Sequence, residues 1–316
     1  MSANLGDQTL VAVFDRANML NGNPAGQVVF VIAGLPNLGF NVFMPSDLDG
    51  FIPPPFGSPN FFYRQHDGDA LDGSGNDRIE LWEFHVDWSD PQSNSTFTGP
   101  TDIPLHDFDS TLCGFLSFSC VPQPPTVADP TPPRLDPVNE PPMWRFQYRN
   151  FILHETLVGN FVVDVDGNDS HGIRWFELRR SRGGAWTLHQ DGTYAPQPPN
   201  AISFVHRWMG SIAMDIFGNI ALGYSVSNAT DIFPSIRYTG RVPSDPLGLL
   251  PQPEQTIIAG GNNIGSIRWG DYSSLNVDPA DGCTFWYTND YVTAAGLRQS
   301  RIATFRFLAC QLISRD

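Results

Sequence analysis

Residues 206–228, HRWMGSIAMDIFGNIALGYSVSN, are echoed by residues 267–290, IRWGDYSSLNVDPADGCTFWYTND, so that Arg207-Trp208 recurs as Arg268-Trp269. Each copy runs from Arg-Trp through an apolar segment and an Asp/Gly turn into a second segment rich in Tyr, Ser and Asn. A chain that repeats a strand–turn–strand unit is building stacked copies of one small sheet, because a single copy cannot bury its own apolar face. Five further segments share one aromatic alternation ending in charge: LVAVFDR, IELWEFHVDW, GIRWFELRR, PSIRYTGRV and SRIATFRFL. Phe14 to Trp82 spans 68 positions, Trp175 to Arg237 spans 62 and Arg237 to Ala303 spans 66, with a longer gap of 93 between Trp82 and Trp175.

Period-2 alternation in repeats of this length predicts an all-β fold, a β-propeller of about five blades of four-stranded antiparallel sheets. A jelly roll or a pair of sandwiches is the competing architecture. With 28 prolines and 29 glycines the chain suits short strands and turns, and it has no long apolar stripe at helical period. The expected division is a partial N-terminal blade over 1–40 and a blade over 41–110. An excursion follows over 111–143, then blades over 144–200, 201–260 and 261–316. The excursion holds VPQPPTVADPTPPRLDPVNEPP and is expected to be extended and solvent-facing. Inner strands are expected to start near Asp47, His154, Trp208 and Trp269. The N-terminal copy is expected to lack its first two strands and the C-terminal copy its last. Either the N-terminal strands close the ring against the C-terminal blade, or upstream blades are missing and an open blade edge offers a route to homo-oligomers.

The formal charge is −15, and all 18 basic residues are arginine. Such a chain is repelled by phosphate backbones, which argues against a nucleic-acid partner. Without lysine there is no Schiff-base chemistry, although arginine-preferring codon usage is the simplest cause of its absence. No apolar run is long enough to span a membrane. Four cysteines, none in a Cys-x-x-Cys pair, read as the disulfides Cys113–Cys120 and Cys283–Cys310 of a secreted protein. MSANLGDQTL lacks the features of a signal peptide, so a longer precursor is expected.

The runs MPSDLDG, PPPFGSPNFF, LWEFHVDW, STFTGPTDIP, FQYRNFILHETLVGNFVVDV, HRWMGSIAMD and RWGDYSSLNVDPADGCTFWYTNDY resemble a family of bacterial exported, propeller-like proteins, most without an assigned activity. That resemblance covers nearly the whole chain and implies a large secreted protein that continues N-terminally. A weaker likeness joins DPADGCTFWYT to the Asp-box turns of sialidase-type propellers, with a different spacing.

A residue present in every copy serves the blade, and one that breaks the pattern is free to serve a site. Arg207, Trp208, Arg268 and Trp269 therefore read first as packing elements, while Asp271 and Tyr272 break the repeat. If all inner strands begin at one mouth of the channel, Asp271, Tyr272, Glu155, His154 and Asp47 form a catalytic set there. Arg207, Arg268, His206 and Asp49 would bind substrate. Carboxylates with a histidine and a phenol suit general acid–base hydrolysis of glycosides, phosphoesters or sulfate esters. Asp47, Asp49 and Asp271 could also hold calcium through oxygen, and Asp47 and Asp49 could equally just cap turns. DVDGND and DGDALDGSGND look like calcium loops but fall where hairpin turns are required, and turn chemistry explains them. There is no Gly-x-Ser-x-Gly elbow and no phosphate loop. The classes left open are a secreted hydrolase of a small-molecule or glycan substrate, a non-catalytic carbohydrate- or surface-binding module, and a structural blade array.

Overall fold

The computed structural model describes residues 1–4, 8–36, 42–114, 118–139, 141–181 and 183–311. Five antiparallel meanders follow one another along the chain. The first holds β1 (Ser2–Asn4), β2 (Gln8–Phe14) and β3 (Gln27–Ala33), with α1 (Arg16–Leu20) between the last two. The second holds β4 (Met44–Leu48), β5 (Asn60–His66), β6 (Arg78–His85) and β7 (Thr96–Pro104), interrupted by α2 (Gly68–Leu71) and α3 (Pro91–Asn94). The third is β8 (Phe146–Asn150), β9 (His154–Asp164), β10 (His171–Ser181) and β11 (Thr187–Tyr194). The fourth is β12 (His206–Met214), β13 (Ile220–Ser227), β14 (Ser235–Arg241) and β15 (Gln255–Ile258). The fifth is β16 (Ser274–Val277), β17 (Phe285–Val292) and β18 (Arg298–Phe305), followed by α4 (Leu308–Gln311). Among the described residues no helix is long and apolar enough to cross a membrane.

These are propeller blades. Their first strands lie side by side, and β4 pairs in parallel with β8, which joins blades two and three into one eight-stranded sheet. Successive blades bury their faces on each other. Phe61, Tyr63, Ile79 and Leu81 of blade two meet Phe146, Phe161 and Phe176 of blade three. Val158, Ile173 and Trp175 meet Ile212, Leu222 and Tyr224 of blade four, and Ala213, Ala221 and Ile236 meet Leu275, Phe285 and Tyr287 of blade five. Gly223 is required by the last contact, because a Cβ there would stand 2.5 Å from the Tyr287 ring. Among the described residues no strand of the first sheet pairs with one of the fifth.

IELWEFHVDW, GIRWFELRR, PSIRYTGRV and SRIATFRFL supply the third strands β6, β10, β14 and β18, as the repeat predicts. LVAVFDR instead supplies β2, the middle strand of a three-stranded first sheet rather than a third strand that has lost two others. Two inner strands also start elsewhere than expected. In blade three the inner strand is β8, because Ile152 at φ 69 closes a tight hairpin that puts His154 at the head of the second strand. In blade five it begins at Ser274, after the loop that carries Trp269.

The excursion is the largest departure. Leu112, Val121, Leu135, Val138 and Met143 pack with Trp208, Met209 and Trp269 in one buried cluster over the starts of the inner strands of blades four and five. Val121 bridges Leu135, and Asp136 N–H donates to the Ile267 carbonyl at 2.8 Å. The prolines remove donors that would otherwise need partners, and apolar side chains spaced among them are buried. It is a plug, not a solvent-facing tail.

Both disulfides form as expected, Cys113 with Cys120 and Cys283 with Cys310. The second bridges 27 positions and ties α4 to the start of β17. Constraint of the unfolded chain gives a loop of that size about 3–4 kcal/mol. Cys283→Ser is expected to lower the urea midpoint and, by freeing the unfolded chain to expose more surface, to raise the slope, and a thiol assay of the unreduced, unfolded wild type should detect no free cysteine.

Candidate active site

The channel ends can be told apart by following β12. From His206 to Met214 it makes eight steps of about 3.3 Å, so its ends lie about 26 Å apart. Asp49 belongs to the far end, since the Gln147 amide donates both to Asp49 Oδ2 at 2.6 Å and to the Met214 carbonyl at 3.1 Å. Asp47 and Asp49 both rest on the buried guanidinium of Arg145, at 2.7 and 2.6 Å. Glu155 is on this side too. It pairs across β8 with Asn150, whose amide donates to the Pro53 carbonyl, and its carboxylate takes the Tyr148 hydroxyl at 2.5 Å and the Arg180 guanidinium. His154 lines a cavity of about 230 Å³ with Glu155, Ile152 and Pro53, and burial lowers its pKa.

Asp271 stands at the opposite end. Trp269 packs on Trp208 with ring centroids 6.0 Å apart, and the Ser273 hydroxyl donates to the Met209 carbonyl at 2.8 Å. About six strand steps, roughly 20 Å, therefore separate Asp271 from Asp49 along the axis. The expected convergence of Asp47, Asp49, His154, Glu155 and Asp271 at one mouth, as a catalytic or calcium-binding set, does not occur. Asp47 and Asp49 sit at the exit end of β4 and share the one guanidinium of Arg145.

His206 and Arg207 do not line the mouth either. The His206 imidazole meets His171 in the interior, and burial, with the nearby Arg134 charge, brings its pKa down to about 4. Arg207 runs along the blade face, paired with Glu254 at 2.9 Å and lying over the Tyr194 ring. Glu254 also binds the Tyr224 hydroxyl at 2.6 Å and Arg237 at 2.8 Å, which closes a partly buried polar ladder. Met209-Gly210, the small pair of the first copy, forms a β-bulge with Met209 at φ 53. Both Asp loops are turns: Asp164 accepts four backbone N–H groups, and Asp67 caps α2.

What the structure does assemble at the near mouth is Asp271, Tyr272, Arg268 and a residue that the sequence reading missed, Asp136. They line a cavity of about 160 Å³ with Val42, Phe118, Val138 and Pro141. One guanidinium spans both acids, Arg268 Nη1 at 3.3 Å from Asp136 Oδ2 and Nη2 on Asp271 Oδ2. The Asp136 side chain is 2% exposed, that of Asp271 25% and that of Arg268 61%, so the pair is graded from interior to solvent. Burial raises the pKa of both carboxyls. At Asp136 the Val138 N–H and the Arg268 charge oppose the rise and Asp271's charge adds to it, while at Asp271 Arg268 and Arg298 oppose it. The only sequence signal for Asp136 was Leu135-Asp136-Pro137-Val138, an apolar alternation inside the proline tract.

No protein-family model matches this chain, and no curated protein does. Among solved structures it is similar to the family-93 α-L-arabinofuranosidase of Fusarium graminearum with arabinobiose, at 10% identity and TM-score 0.37, over 90% of this chain and 82% of that one. It is similar to a thermostable family-43 glycoside hydrolase at 11% identity and TM-score 0.31, over 97% and 88%. With the endo-arabinase of Bacteroides thetaiotaomicron it shares 10% identity at TM-score 0.26, over 86% and 96%. Likenesses this distant transfer no residue roles.

Proposed function

We propose that the protein is a hydrolase of glycosidic bonds, working at the near mouth with Asp136 as general acid and Asp271 as base or nucleophile. The observation that carries this reading is the Asp136–Arg268–Asp271 arrangement, in which two carboxyls of unlike environment flank one cavity. A buried acid beside a more exposed, arginine-paired one can divide the work of proton donor and charged partner, which is what cleavage of an acetal requires. In the reaction Asp136 gives its proton to the leaving oxygen. Asp271, kept ionised by Arg268, either takes a proton from water or attacks the anomeric carbon. The cavity is close in size to one that holds a single six-membered ring, which suits one sugar residue rather than an extended chain. Tyr272, 47% exposed, offers a ring face and a hydroxyl beside the acids. Two disulfides fit a working place in an oxidising, extracellular compartment.

The test is a panel of chromogenic monosaccharide glycosides, with titration calorimetry of the free sugars on wild type and Asp271→Asn. Turnover lost in the variant supports the reading. Binding without any turnover in the wild type would make it a carbohydrate-binding module instead. The split between the acids can be checked without a substrate. Asp271→Asn removes a negative neighbour and should lower the pKa of Asp136, read from its carboxyl carbon by NMR between pH 3 and 8. An unchanged or higher pKa would show that the two do not share a site.

A further inference from the structure

Cys113 Sγ, Cys120 Sγ and a His171 ring nitrogen lie within 4.8 Å of one another where the plug is anchored. His171 is fully buried, and its Nε2 has no hydrogen-bond partner among the described residues. Its protonation pattern follows from its neighbours. The His171 backbone N–H donates to His206 Nδ1 at 3.3 Å, so that nitrogen is an acceptor and carries no proton. The two Nδ1 atoms are 2.9 Å apart, so the His171 Nδ1 must bear the hydrogen of that contact. A neutral His171 is left with a bare lone pair on Nε2. An imidazole with one ring nitrogen tied down as a donor and a bare lone pair on the other is the arrangement in which proteins set histidine to bind metal. A buried acceptor without a partner calls for an explanation of its own.

We propose that, when Cys113 and Cys120 are dithiols, they and His171 form a buried S₂N site for a thiophilic d¹⁰ cation, cuprous copper or zinc. The same pair is a disulfide in the oxidised protein, so the site is gated by redox state. A dithiol reductant supplies two electrons and two protons to open the S–S bond and is itself left as a disulfide. On metal binding both S–H bonds break, their protons leave to solvent, two S–metal bonds form, and His171 Nε2 gives the third electron pair. His206 is a positioning residue, since it fixes the tautomer without reaching the metal. Cys120 N–H donates to the Leu135 carbonyl at 3.0 Å, next to Asp136, so the site would anchor the plug in the reduced protein as the disulfide does in the oxidised one.

The experiment uses the full chain, reduced with dithiothreitol and desalted without oxygen, then titrated with Co²⁺ as the zinc surrogate and with Cu⁺ against a chromogenic chelator. One equivalent of Co²⁺ should give a thiolate-to-cobalt charge-transfer band, and the oxidised protein should give none. Cys113→Ser and Cys120→Ser should abolish the band, His171→Gln should weaken binding at least tenfold, and Cys283→Ser should leave it intact. Reduced wild type that stays folded by circular dichroism and takes up neither ion overturns the proposal. So does uptake that survives Cys120→Ser in a Cys283→Ser background, or loss of the fold in unreduced Cys113→Ser, which opens this pair and leaves the other bridge intact.

Discussion

Asp136→Asn and Asp271→Asn should each lower kcat/KM on the best chromogenic glycoside by about two to four orders of magnitude, the range a positioned acid or base contributes. The double variant should be little worse than either single one, because the two residues act on one bond as a unit. Neither change should unfold the protein. Asparagine keeps the shape of aspartate, the Val138 N–H that bonds Asp136 Oδ1 at 2.9 Å keeps an acceptor, and Asp271 is partly in solvent. Circular dichroism and urea midpoints within experimental scatter of wild type would certify the comparison. A loss below tenfold in either variant would remove that residue from the chemistry.

The fold was readable because strand alternation and repeat length are properties of neighbouring residues. Four of the five aromatic segments became third strands for that reason, and the Asp/Gly turns formed where Asp215, Asp278 and Asp281 could accept backbone N–H groups. The site was only half readable. Asp271 and Tyr272 announced themselves by breaking the repeat, but their partner lies 135 positions upstream in a tract whose prolines suggested an exposed tail. Nothing local says that Leu135 and Val138 will be buried under Trp208 and Trp269. The misplacement of His154 and Glu155 has a similar origin: FQYRN and HETLVGN are both apolar enough for an inner strand, and only the Ile152 turn decides which of them is.

The two Arg-Trp copies make opposite predictions for their arginines. Arg207 is buried on a blade face and shares Glu254 with Tyr224 and Arg237, so Arg207→Ala leaves a largely desolvated carboxylate short of one partner and strips the cover from Tyr194. Removing one member of such a pair costs about 3 kcal/mol, which should appear as a lower urea midpoint with catalysis retained in the folded fraction. Burial alone would raise the pKa of Glu254, and Arg207 and its neighbours instead hold it below the ordinary value of 4.5. Its stabilising contribution is therefore present above that pH and is lost as the pH falls through the depressed value, so the gap between wild type and Arg207→Ala should narrow in acid. Arg268 is mostly in solvent, and Arg268→Ala should cost no more than about 1 kcal/mol. Its effect should fall on the site: with the guanidinium gone the Asp136 pKa rises, Asp271 loses the charge that keeps it ionised, and kcat/KM drops by about tenfold or more. Equal losses of stability in the two variants, or an Arg268→Ala protein with the wild-type Asp136 titration, would show that both copies serve the blade alone.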